Sequence, residues 1–267
     1  MPNLIKIDFS DTIKYRHRSD LCAGTKAMLY QVKDFNIVYL DLSENFLDAD
    51  GARAFNEFLE LNNGSLKTLK LSGCKLAGKS VEMMLESQAK NKKVQLTDLY
   101  LARNLLDDEA MKNLATYISN VTSLEVLDIS GNILNEKKGE KSLGLKNIFS
   151  GILALKHNLR SLNISNNKGI NNDGTLNLLN QFIADSSSLK DLHICNLMMD
   201  AKNCKLFTDF LLETFAKDWN LNSSLREITW DLDLKVDLKL AKSFLVEKLP
   251  KVYNQRLTYI KMAGIWE

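Results

Sequence analysis

The stretch LEVLDISGNIL, Leu124 to Leu134, decides how the rest of the chain is read. Leucine or isoleucine stands at positions one, four, six and eleven, with an asparagine at nine. The same template fits Ile37-Leu40-Leu42-Asn45-Leu47, Leu66-Leu69-Leu71-Cys74-Leu76 and Leu96-Leu99-Leu101-Asn104-Leu106. It continues as Leu159-Leu162-Ile164-Asn167, and weaker copies begin at Leu4, Leu189, Leu225 and Leu257. These nine starting points are 28 to 36 residues apart and fill the chain. A fixed period of this length marks a stacked array in which each unit completes its neighbour's core. The 46 leucines and 26 asparagines among 267 residues are the compositional trace of that repetition.

Within a unit, positions four and six alternate with polar residues, as in a short strand buried on one face. The asparagine at nine is suited to satisfying backbone groups where the chain turns out of the strand, and Cys74 takes that place once. Apolar residues then recur at helical spacing. Phe55, Phe58, Leu59 and Leu61 define one buried stripe, and Met111, Leu114, Ala115 and Ile118 another. Asp107, Asp108 and Glu109 place negative charge at a helix start, where the dipole favours it. The reading is an α/β solenoid of about nine repeats, curved because helices are wider than strands, with a parallel sheet on its concave face and helices on its convex face. It predicts one domain over residues 1–267. The segments 135–144 and 217–224 read as insertions in long repeats, Trp230 as core, and Ile265 and Trp266 as cover for the last unit.

LDLSENFLDADGARAFNEFLE (Leu40 to Glu60) and LDISGNILNEKKGE (Leu127 to Glu140) resemble the ribonuclease-inhibitor subfamily of leucine-rich repeats, which includes the Ran GTPase-activating proteins and many receptor domains. A lysine- and asparagine-rich chain made of repeats alone is also similar to leucine-rich-repeat effectors of intracellular bacterial pathogens. The first resemblance implies a protein partner gripped on the concave face, including an enzyme whose active site is blocked. The second implies delivery into a host cytoplasm by a secretion system. Arg103-Asn104 resembles the loop arginine and asparagine with which Ran GTPase-activating proteins assist hydrolysis. Asn104 also fits the structural ninth position, and the acidic tail of that family is absent. A GTPase-activating or signalling scaffold is the second reading.

Composition excludes other classes. With 45% hydrophobic and 25% charged residues, the chain suits a folded protein rather than a disordered tail. Basic and acidic residues nearly balance at a net +2 without a basic tract, which argues against nucleic acid. No run approaches the roughly 18 apolar residues of a membrane span, and Met1 to Ser10 alternates like a strand rather than a secretory signal. Cys22, Cys74, Cys195 and Cys204 lack disulfide or metal-ligand spacing and read as reduced thiols of an intracellular protein. No nucleotide loop or hydrolase motif occurs, since Gly73 and Gly78 in LSGCKLAGKS occupy repeat turns. His17, His157 and His193 are dispersed, and a His193–Cys195 couple has nothing nearby to complete a catalytic set. The sequence therefore predicts a non-enzyme with no cofactor, no metal and no small-molecule substrate.

Function in such an array sits where side chains vary over a constant scaffold. Positions three, five, seven and eight face the hollow. They carry Asp8, Asp11, Asp41, Glu44, Asp98, Asp128, Asp191, Glu227 and Asp231 against Lys6, Lys70, Arg103 and Lys261, a net −5, so the remainder of the chain is basic. Position two adds a basic rim of Lys67, Arg160, Lys190 and Arg226 against Glu125. Tyrosines on a rigid sheet offer large contact area with few rotors to freeze. The candidate partner-binding residues are Tyr39, Asp41, Asp98, Tyr100, Arg103, Asp128, Asp191, His193, Trp219, Asp231 and Tyr259, with Trp219 on an exposed edge.

Overall fold

The computed structural model describes residues 5–12, 18–47, 49–132, 143–154, 158–167, 170, 173–197, 199, 201–216, 225–231 and 259–263. In chain order its elements are β1 (Lys6–Asp8), α1 (Arg18–Val32), β2 (Tyr39–Asp41), α2 (Ala49–Leu61), β3 (Thr68–Lys70), α3 (Gly78–Lys90), β4 (Asp98–Tyr100) and α4 (Asp108–Asn120). There follow β5 (Val126–Asp128), α5 (Gly144–Ala154), β6 (Ser161–Asn163), α6 (Asp173–Asp185), β7 (Asp191–Ile194), α7 (Ala201–Ala216), β8 (Glu227–Asp231) and β9 (Tyr259–Ala263). The nine strands form one parallel sheet in sequence order. The insertions at 135–144 (apart from Leu143 and Gly144) and 217–224, together with His17, His157, Ile265 and Trp266, lie outside the described residues.

Position four lies at the centre of the strands. Ile7, Leu40, Leu69, Leu99, Leu127, Leu162, Leu192, Ile228 and Ile260 stand side by side in register from β1 to β9. Those from Leu40 to Ile228 are 0% exposed, and positions one and six complete the sheet side of the core. The helices close the other side with Phe55, Phe58, Leu59, Met111, Leu114, Ile118, Ile148 and Phe149. Leu61 departs from its expected stripe and is 66% exposed, because it is the last residue of α2, where the chain leaves the helix. Strands lie about 4.8 Å apart while packed helices need roughly 8–10 Å, so the array curves with the sheet inside. Gly151 brings α5 against α4: a Cβ there would lie 2.7 Å from the Ala115 carbonyl oxygen.

The ninth-position asparagines form a ladder inside this core. Asn104 Nδ2 donates to the Leu101 carbonyl of its own turn (3.0 Å) and to that of Leu71 one repeat earlier (2.9 Å), while its Oδ1 accepts from Cys74 and Leu76 N–H, both at 3.0 Å. Asn132 bonds Ile129 and Leu101, and Asn167 bonds Ile164 and Ile129, in the same way. Asn132 Oδ1 accepts from Asn104 N–H, and Asn167 Oδ1 from Asn132 N–H. Cys74 keeps half of the pattern, donating its thiol to the Leu42 carbonyl at 3.1 Å. Among the described residues, Leu197 ends the ladder in the seventh unit.

The acidic helix start divides its work. Asp107 caps α4 by accepting from Ala110 N–H at 2.9 Å, whereas the Asp108 carboxylate accepts from Leu143 and Gly144 N–H at the start of α5, both at 3.0 Å. Other links between repeats had no clear sequence signal. Asn91 Nδ2 bonds the carbonyls of Leu59, Glu60 and Asn62 at the end of the preceding helix. Ser65, Ser123 and Ser188 each donate to the first-position carbonyl of the preceding unit.

Two outcomes follow from this packing. Leu127→Ala opens a cavity between neighbouring units and should destabilise the protein by about 2–5 kcal/mol in equilibrium denaturation. Unchanged unfolding would contradict the register. Burial pushes the Cys74 thiol from its ordinary value of 9.0 up to about 12. Between these values the unfolded chain loses a proton that the native one keeps, so stability falls as pH rises. Relative to Cys74→Ser, wild type should lose about 1.4 kcal/mol per pH unit above the ordinary thiol range; parallel pH profiles of denaturation would refute this.

Candidate protein-binding face

The strand register aligns the outward-facing positions into two rows. Position three runs Lys6, Tyr39, Thr68, Asp98, Val126, Ser161, Asp191, Glu227 and Tyr259. Position five runs Asp8, Asp41, Lys70, Tyr100, Asp128, Asn163, His193, Thr229 and Lys261. Tyr39, Asp41, Asp98, Tyr100 and Asp128 thus fall in one patch over β2 to β5.

Lysines organise that patch, a part the sequence reading missed because it counted them only as charges. Lys6 Nζ lies 4.4 Å from the Tyr39 ring centre, and Lys70 Nζ lies 5.3 Å from the Tyr39 ring and 4.9 Å from that of Tyr100. Across four neighbouring strands the order is cation, ring, cation, ring. Burial works against the charge of Lys70, but its hydrogen bond with Tyr39 and the fields of Tyr39, Asp41 and Tyr100 outweigh this and raise its pKa above the ordinary lysine value. Burial, with the nearby Asp98 and Asp128 carboxylates, likewise raises the Tyr100 hydroxyl despite Lys70.

Several position-five side chains also build their own turns. Oδ1 of Asp8, Asp41, Asp128 and Asn163 accepts from the N–H of Ser10, Ser43, Ser130 and Ser165, at 2.9 to 3.1 Å. The Ser10 hydroxyl adds a bond to Asp8, and these contacts hold its carboxyl below the ordinary range. Asp41 is only 8% exposed and also accepts from the Tyr39 hydroxyl at 3.2 Å. Asp98 Oδ2 accepts from the hydroxyls of Thr68 and Thr97. Asp-x-Ser in the strand exit is the signal that identifies the turn-building carboxylates.

Arg103 stands at position eight, where the backbone is left-handed. Asp11, Glu44, Gly73, Arg103, Gly131, Asn166 and Asn196 have φ from 53° to 67°. This conformation directs each of the first six N–H groups to the position-seven carbonyl of the next unit, as from Arg103 to Ser130 at 2.7 Å. Arg103 pairs with Glu44 across Gly73, where a Cβ would lie 2.5 Å from Glu44 Oε1. Asn104 is absorbed by the ladder.

The remaining candidates lie apart from the patch. Asp191 and His193 stand on β7, with His193 Nδ1 3.0 Å from the Thr229 hydroxyl oxygen. Asp231 is on β8 and Tyr259 on β9, in register with Ala263 and Glu227 respectively. Trp219 lies outside the described residues, and for Trp230 only the strand position is described. Among the described residues no group of His, Cys, Asp and Glu is arranged to hold a metal, and no helix is long and apolar enough to cross a membrane. Cys74, Cys195 and Cys204 are outside any disulfide.

A family profile described as leucine-rich repeat matches residues 156–178, which contain β6 and its ladder asparagine. The fold is a leucine-rich-repeat solenoid. The chain is 38% identical over 80 residues to the NACHT, LRR and PYD domains-containing protein 14 of Mus musculus; that alignment covers 30% of this chain and 8% of the mouse protein. The leucine-rich repeat-containing protein LegL7 from Legionella pneumophila aligns in structure with a TM-score of 0.42 and 15% identity, over 97% of this chain and 83% of that one.

The left-handed position sets a test that separates backbone from side chain. Arg103→Gly and Arg103→Val both lose the guanidinium. Only the β-branched variant should be destabilised by about 1–2 kcal/mol, because valine resists φ near +53°. Equal melting of the two variants would show that the ion pair, rather than the conformation, governs this site.

Proposed function

We propose that residues 1–267 form one domain, a non-catalytic module that holds a protein partner in its concave face. The observation that supports this most is the Lys6–Tyr39–Lys70–Tyr100 stack, in which the rings stand on strands locked by the core behind them. A preorganised aromatic surface loses little side-chain entropy on association. Asp98 and Asp128 border it, and Asp191, His193, Asp231 and Tyr259 are further contacts along the array. Leucine-rich-repeat proteins commonly bind other proteins, which agrees with this use of the hollow.

On this reading the partner is a protein with a basic, partly apolar surface, and an enzyme whose active site is covered fits the inhibitor resemblance. Action in a reducing intracellular compartment, including a host cytoplasm, fits the dispersed thiols and the effector resemblance. The GTPase-activating reading draws less support, since the Asn104 side chain is committed to five scaffold carbonyl and amide partners and Arg103 to Glu44.

Tyr100→Ala should weaken affinity for a partner recovered on the immobilised chain by about 2 kcal/mol or more if the ring sits at the interface centre. Lys112→Glu, on the exposed side of α4, should change it little. Calorimetric titration, with folding checked by circular dichroism, decides the matter. Loss of binding in the helix variant with retention in the strand variant would place the functional face on the wrong side.

A further inference from the structure

The Tyr39–Tyr100 stack contains its own example of how this face holds a basic side chain. Lys70 lies between the two rings with the Asp41 carboxylate close by, and these groups together outweigh the cost of burying its charge. One strand further on, half of that arrangement is repeated. Tyr100 has Lys70 on one side and Asp128 on the other, in register. Asp98 uses Oδ2 for two threonine hydroxyls and Asp128 uses Oδ1 for Ser130 N–H, each carboxylate has a second oxygen, and the fields of both reach the Tyr100 hydroxyl. The corresponding β5 positions, Val126 and Asp128, supply no cation. Across β4 to β8 the two outward rows contain four carboxylates, Asp98, Asp128, Asp191 and Glu227, and neither lysine nor arginine.

Resting on the protein-binding reading above, we infer that the corner formed by Tyr100, Asp98 and Asp128 is a subsite for one Lys or Arg side chain of a basic partner segment lying across β4 to β8. The incoming cation extends the alternating stack by one member. The ring contributes its negative face, and the two spare carboxylate oxygens accept the N–H donors. An arginine fork meets both carboxylates at once, while a lysine repeats the arrangement of Lys70. The acidic rows beyond β4 receive the remaining charges of the segment and steer its approach.

The test uses the full chain and fluorescently labelled octalysine, octaarginine and octaglutamate, with binding read by anisotropy at low salt. The chain has a formal net charge of +2, so attraction of the basic peptides cannot arise from overall charge. Octalysine or octaarginine should bind wild type while octaglutamate does not. Tyr100→Leu should weaken that binding about fivefold, the scale of a partly desolvated cation–π contact, and Asp128→Asn should weaken it similarly with the Ser130 turn preserved. Val126→Lys should fill the corner from within and compete with the peptide. A Glu86→Gln, Glu109→Gln double variant on the convex helices should bind as wild type does.

Equal binding by all variants, preference for octaglutamate, or no binding of either basic peptide would overturn the inference. The last result, combined with loss of a recovered protein partner in Tyr100→Ala, would leave the concave-face reading standing and remove the cation subsite alone. Retention of that partner in Tyr100→Ala would count against the wider reading.

Discussion

A buried carboxamide at the exit of the strand ties each repeat to the next. Asn45, Asn104, Asn132 and Asn167 are at most 4% exposed, so every amide atom there must find a partner inside the protein. Their Nδ2 groups bridge the position-six carbonyls of adjacent turns, as in Asn45 to Leu42 and Phe9, and their Oδ1 groups bind neighbouring amides where the ladder is intact. Removing one such side chain would orphan several buried groups together, each at about 1–3 kcal/mol. The hydrophobic rows supply most of the burial, but they allow leucines to slide against leucines. The directional bonds of the ladder fix one register.

That register creates the candidate binding face. With position four aligned from β1 to β9, positions three and five become continuous rows, and residues about thirty apart in sequence become neighbours across a strand spacing. Lys6, Tyr39, Lys70 and Tyr100 belong to four different repeats, yet they form one stack. Position eight serves the same end. Its left-handed backbone sends an N–H to the following unit and leaves a side chain at the rim, where Glu44 and Arg103 meet over the space above Gly73.

The fold was legible because its information is periodic: one missed position, such as Cys74 for asparagine, is outvoted by its neighbours. Phe55, Phe58 and Leu59 followed the helical period, while Leu61 did not because a period says nothing about where a helix ends. The site was only partly legible. Alternation placed Tyr39, Tyr100, Asp98 and Asp128 on one face, but charge counting described Lys70 as a deduction from an acidic hollow when it is the centre of an aromatic stack. Asp41 and Asp128 read as binding charges, and each spends an oxygen on a serine amide two residues on. That double role depends on turn geometry, for which Asp-x-Ser is the local cue. Arg103 drew notice through its asparagine neighbour, whereas its pairing with Glu44 spans two repeats and has no local signature.

Native-state hydrogen exchange tests the role of the ladder most directly, because its amides lie in turns that would otherwise exchange quickly. The N–H groups of Cys74, Leu76, Asn104 and Asn132, all directed to ladder oxygens, should be as protected as those of Leu71 and Leu101, which continue the sheet bonding just past β3 and β4, and exchange only when the array unfolds. If these turn amides exchange rapidly while the strands remain protected, the asparagine ladder does not hold the repeats in register.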